Sequence, residues 1–124
     1  MPRYNAQVTP PAAFVRVQIT NPSTGASHSL PGKLDTGASI SVIPDEVVEA
    51  LSLPPRGEAR FYAFDGRSSV RQTYYVGVEL EGHRIPLLEV TSSARGDMLL
   101  GRDILNQFII TLNGKDLTFE IEDP

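Results

Sequence analysis

The chain has 124 residues, 40% of them hydrophobic and 21% charged, which is room for one domain with a real core and excludes a disordered chain. Fifteen acidic against eleven basic residues give a net charge of −4, so a phosphate-driven nucleic-acid surface is not expected. Cysteine is absent, which removes disulfides, thiolate metal sites and cysteine nucleophiles, and no apolar run approaches the ~20 residues that cross a bilayer.

Residues 1–12 are polar, with Pro2, Pro10 and Pro11, and read as an arm that packs on something or stays loose; residues 13–124 read as the domain. The start of the chain shows no apolar signal-peptide region, which favours a cytoplasmic location. Ala13, Val15, Val17 and Ile19 alternate as a half-buried strand, and Asn21-Pro22-Ser23-Thr24-Gly25 is a turn. A second strand runs over His28, Leu30 and Leu34, interrupted at Pro31-Gly32, and enters a small-residue loop, Asp35-Thr36-Gly37-Ala38-Ser39. Pro44-Asp45-Glu46 opens a short helix to about Leu51, since proline and acids both suit a first helical turn.

Residues 58–64 predict a strand, and Asp65-Gly66 a hairpin tip. Val70, Gln72, Tyr74, Val76, Val78 and Leu80 mark a long strand with one buried face. Glu81-Gly82-His83 turns it, Arg84–Val90 returns, and residues 91–97 form a polar loop. Met98-Leu99-Leu100 is a short apolar strand ending at Gly101, and residues 102–107 fit a short helix. Residues 108–112 and the alternating Leu117, Phe119 and Ile121 form a last strand pair around a type I′ turn at Asn113-Gly114. The sum is a mostly β chain with one or two short helices.

One constellation carries chemistry. A carboxylate at a strand end, Asp35, is held rigidly and can project into a cleft; Gly37 admits a second backbone at close range. Two such carboxylates about 3 Å apart cannot both ionise and so share one proton. One then takes a proton from water while the other gives one to the scissile carbonyl oxygen, which hydrolyses a peptide bond without metal or cofactor. Asp-Thr-Gly alone is a common turn tripeptide; its context here is Leu34 before it, Ala38-Ser39 after it, and Leu99-Leu100-Gly101-Arg102-Asp103-Ile104-Leu105 beginning sixty-four residues later.

With these two ordered motifs, the Asp65-Gly66 hairpin and Val78-Glu79-Leu80-Glu81-Gly82-His83-Arg84, the chain resembles the retroviral-type (retropepsin-like) aspartic proteases over about residues 13–113. The resemblance implies a closed β barrel and an active site formed at a homodimer interface, with peptide or protein as substrate and neither nucleic acid nor membrane as partner. Asp35 would be the catalytic aspartate, Thr36 would hydrogen-bond across the dimer axis, and Gly37 and Ala38 would lie against the substrate. Phe64, Asp65, Gly66 and Arg67 would belong to the flap that closes over the peptide. Leu99, Leu100 and Gly101 would support the catalytic loop from beneath, and Arg102 would start the C-terminal helix. The alternative is a non-catalytic module of this fold that dimerises or binds peptides.

Three departures stand out. Ser39 replaces an acid that the retroviral enzymes commonly pair with the helix arginine, so Arg102 needs another partner. The flap tip has a single glycine, Gly66. A further strand, through Ile121, follows the match to the family's chain end at Thr111-Leu112-Asn113, so the dimer would be sealed differently. His28 and His83 are most simply solvated, Asp103 a helix cap or dipole partner, and no metal-ligand spacing is present.

Overall fold

Strict alternation builds the first wall of the fold. In the computed structural model, which describes residues 2–62 and 65–123, β1 (Phe14–Thr20) turns Val15, Val17 and Ile19 into the core and its polar residues outward. The turn at Asn21 is fixed from within: its Oδ1 accepts the Ser23 N–H at 2.9 Å while its buried Nδ2 donates to the Leu51 carbonyl at 2.8 Å. β2 (Ser27–Leu34) then pairs antiparallel with β1 and runs unbroken through Pro31 and Gly32, where the sequence suggested an interruption.

Two features make this possible. The Leu34 N–H faces β1, so by alternation the ring nitrogen of Pro31 faces the other side, before β7 (Met98–Leu100) begins to pair at Gly32. Gly32 is required by space: a Cβ there would lie 2.7 Å from Val17 Cγ2.

β3 (Val42–Pro44) leads into α1 (Asp45–Ala50), with Pro44 at the cap and Asp45 and Glu46 in the first turn. β4 (Gly57–Tyr62) and the long β5 (Ser68–Leu80) form a hairpin, and β6 (His83–Ser93) returns through Glu81 and Gly82, both at positive φ (48° and 75°), as a two-residue turn demands. Opposite Gly77, β6 carries two residues, Pro86 and Leu87, between the pairs Val76↔Leu88 and Val78↔Ile85. This bulge accommodates a proline within a strand. β6 also extends three residues beyond the expected strand end: Thr91, Ser92 and Ser93, read as loop because they are polar, pair in parallel with β3.

The strand order β1-β2-β7-β3-β6-β5 closes when β5 returns to β1 at Gln18↔Glu79, Ile19↔Val78 and Thr20↔Gly77. The result is the expected closed β barrel, six-stranded, with β4 attached to β5 outside the ring. Its interior holds Ile19, Ile43, Val76, Val90, Met98 and Leu100, all fully buried. Each such aliphatic side chain contributes roughly 1.5–3 kcal/mol through burial.

α2 (Arg102–Leu105) is shorter than the expected 102–107 and presses Ile104 and Leu105 onto the core. β8 (Ile109–Asn113) and β9 (Thr118–Glu122) form a separate two-stranded sheet. Their connection is not the expected type I′ turn. It spans residues 114–117, with Asn113 Oδ1 accepting the Asp116 N–H at 3.0 Å and Leu117, not Gly114, at positive φ (55°). The N-terminal arm packs along β9, with Tyr4 N–H on the Leu117 carbonyl at 2.8 Å, Phe119 N–H on the Pro2 carbonyl at 3.1 Å, and the Tyr4 ring 6.1 Å from that of the buried Phe119.

Candidate active site

Asp35 follows directly from the end of β2. Its N–H donates to the Leu100 carbonyl at 3.0 Å, which adds one more rung to the parallel pairing of β2 with β7. The chain then turns: Gly37 N–H donates to Asp35 Oδ1 at 2.9 Å, and Ala38 N–H to the Asp35 carbonyl at 3.2 Å. One carboxylate oxygen is thereby oriented by the loop's own backbone, while Thr36 and Gly37 remain exposed beside it. Asp35 itself is half-buried.

The loop is clamped from below. A Cβ on Gly101 would approach the Ala38 carbonyl oxygen and the Ile40 carbonyl carbon to 2.9 Å each, so only glycine lets the two backbones meet. Arg102 N–H donates to the Ala38 carbonyl at 2.9 Å, and Arg102 Nη1 to the Thr36 carbonyl at 2.9 Å. The arginine that lacks an acidic partner at Ser39 therefore finds a backbone acceptor within the loop. Leu100 is fully buried, and Leu99 pairs with Val42 at the edge of the cleft.

Sequence reasoning missed the strongest brace. Asp103 receives the Ser41 N–H at 2.9 Å on Oδ2, and on Oδ1 the Ser41 hydroxyl at 2.6 Å and the Ile104 N–H at 2.9 Å. The same Ser41 hydroxyl accepts the Gly101 N–H at 2.9 Å, and Ser41 is fully buried. Asp103 is thus more than the expected helix cap: it ties the loop to α2. The available signal was the pair of a serine in a small-residue loop and an acid at a helix start, which the sequence gives no reason to join.

A cleft of about 320 Å³ opens beside the loop, walled by Gly37, Ala38, Val42, Leu99, Phe61 and Arg71 among others. The β4–β5 hairpin forms its far side. At the hairpin tip Gly66 has φ 86°, and Arg67 donates its N–H to Asp65 Oδ1 at 3.0 Å while its Nε lies 3.2 Å from Asp65 Oδ2. Asp65, Gly66 and Arg67 therefore form a self-contained, exposed tip. Phe64 lies outside the described residues. Among the described residues no group of three or more His, Asp or Glu gathers as a metal site, and no helix is long and apolar enough to cross a membrane.

Away from the cleft, His83 is not merely solvated. Nδ1 lies 2.7 Å from Asp123 Oδ2 and Nε2 3.0 Å from Gln107 Oε1, and the ring packs edge-on to Phe108 at 4.9 Å. Two oxygen acceptors favour the doubly protonated ring. The Asp123 hydrogen bond first, and the Gln107 bond after it, hold His83 above the ordinary histidine value. This contact links the β5–β6 turn to the end of the chain.

The architecture is shared with known proteins. A family model described as gag-polyprotein aspartyl protease matches residues 24–107. A retropepsin-like aspartic protease from Rickettsia conorii superposes with a TM-score of 0.69 at 15% identity, over 98% of this chain and 88% of that one. The EIAV protease complexed with the inhibitor HBY-793 gives 0.58 at 24% identity, over 77% and 86%. The protease of simian foamy virus (mac) gives 0.57 at 20% identity, over 76% and 92%. Comparison with curated proteins gives no match.

Proposed function

Because the chain belongs to the gag-polyprotein aspartyl protease family, we propose that it is an aspartic endopeptidase active as a homodimer, with one Asp35 from each chain. The observation that carries this reading is the loop geometry: a carboxylate at a strand end, oriented by the Gly37 N–H, in a loop clamped from beneath by Gly101, Arg102 and Asp103 whose next residues, Gly37 and Ala38, line a cleft. Asp35 is the chain's one aspartate followed by Thr-Gly or Ser-Gly, so the second carboxylate must come from a second copy.

In this mechanism the two carboxylates share one proton. The ionised member takes a proton from a water held between them, and the protonated member donates to the scissile carbonyl oxygen as the water attacks. Thr36 braces the pair across the two-fold axis. Gly37 and Ala38 carry the substrate backbone, and the hairpin bearing Phe64, Asp65, Gly66 and Arg67 covers it. Substrate is a peptide or protein in extended form, and no cofactor takes part.

Peptide cleavage by wild type and Asp35→Asn tests this. The variant keeps the shape of the side chain and removes the shared proton, so cleavage is expected to vanish while folding and dimerisation persist. When subunits of the two exchange freely, activity is expected to fall as the square of the wild-type fraction. A linear fall means each chain works alone, and the shared-pair mechanism fails; a folded dimer that cleaves nothing returns the chain to the peptide-binding alternative.

A further inference from the structure

Strand register assembles one continuous surface beside Asp35. Val42 pairs with both Leu99 and Thr91, so these three side chains share one side of the sheet. Thr91 pairs with Thr73, and Arg71 follows on the same side two residues away. Arg71 in turn pairs with Ala59, and Ser69 with Phe61, which carries the same surface onto the hairpin. The side facing the cleft therefore joins apolar side chains, Val42, Leu99 and Phe61, with the hydroxyl of Thr91 and ends in a guanidinium.

Three observations give that guanidinium a task. Its Nη1 donates to the Ser92 carbonyl at 3.1 Å, which anchors it and leaves most of its five donors free. Among the described residues its charge has no carboxylate partner, and of the arginines without one it alone lines this cleft. The residues lining the cleft include no acid and no other cation. A guanidinium so placed, beside the loop of Asp35, is suited to receive a carboxylate.

We propose that this cleft is a substrate subsite for an acidic side chain, whose methylenes lie along Val42, Leu99 and Phe61 and whose carboxylate is taken by Arg71. The proposal rests on the reading of the cleft as the substrate groove. It makes the enzyme selective for peptides with glutamate or aspartate close to the scissile bond, because Gly37 and Ala38, which line the subsite, follow Asp35 almost directly.

The test uses positional peptide libraries in which Glu, Gln or Lys is fixed at each position in turn. Binding is read on the Asp35→Asn protein and cleavage on the wild type, and both are repeated with Arg71→Met and Arg71→Glu added. At one position the Glu pool is expected to bind and be cleaved about tenfold better than the Gln pool, the scale of a charge-assisted hydrogen bond. Arg71→Met should bring that ratio close to one, and Arg71→Glu should turn the preference toward Lys. Equal binding of the Glu and Gln pools, or a preference that survives Arg71→Met, overturns the proposal even if cleavage is normal. Glu-selective, Arg71-dependent binding by a wild type that cleaves nothing upholds the subsite and overturns the peptidase reading instead.

Discussion

The hydroxyl of Ser41 donates to Asp103 and accepts from the Gly101 N–H, so its removal leaves the buried Gly101 N–H without its acceptor and takes from Asp103 one of its three donors. Ser41→Ala is expected to destabilise the fold by about 1–3 kcal/mol, the cost of leaving one such buried group unpaired. Cleavage should fall about tenfold or more beyond the loss of folded protein, because the catalytic loop loses its tie to α2. Thermal melts and kcat/KM on the folded fraction check this; unchanged activity would mean that Arg102 alone holds the loop. At this scale the sequence was half legible. Asp35 and Gly101 each sit in a local motif that can be read in one pass, and Arg102 was expected to need a substitute partner, which the Thr36 carbonyl provides. The link between Ser41 and Asp103 spans 62 residues, and the local reading of Asp103 as a helix cap is self-sufficient, so nothing in either segment points to the other.

β4 and the first half of β5 project beyond the barrel, and their tip turns at Gly66 with φ 86° in open space. Gly66→Val places a β-branched residue in a left-handed conformation and restricts the tip. Turnover should drop several-fold with the melting temperature nearly unchanged, since no core residue lies there; a collapse in melting temperature with normal turnover would make the hairpin a structural part. The β8–β9 sheet depends on a different contact. Because Asp123 and Gln107 raise the affinity of His83 for its proton, the link is fully present below the ordinary value of 6.5 and is lost as pH rises through the higher folded value. Protection factors of the β9 amides, which divide out the base-catalysed intrinsic rate, should therefore fall from mildly acidic to alkaline pH in wild type, and His83→Ala should remove that fall. The elements that the sequence missed share a cause. Thr91–Ser93 are polar yet form a strand because β3 needs a parallel neighbour, and Pro31 is tolerated because its nitrogen faces a stretch of β2 without a partner. Periodicity reports burial along one segment and carries no information about which neighbour supplies the hydrogen bonds.

For the whole molecule, the proposed dimer makes activity a function of concentration: specific activity should decline on dilution through the dimer dissociation constant, and full activity from a species shown by light scattering to be monomeric would refute it. The order of strands in the barrel has a second consequence, for the history of the chain. β2 meets β7 through Gly32↔Met98, β1 meets β5 through Ile19↔Val78, and the Ser41–Asp103 tie spans a comparable distance. Such long-range pairings form slowly compared with local hairpins, because the intervening loop must be closed before they can contribute. The loop bearing Asp35 thus gains its clamp only after Gly101–Asp103 have been synthesised and the ring has closed. A chain emerging from the ribosome can fold its first hairpin early, but it carries an unsupported carboxylate until Gly101–Asp103 have joined the ring. On the proposed function, premature cleavage of the chain's own unfolded segments is thereby disfavoured by connectivity.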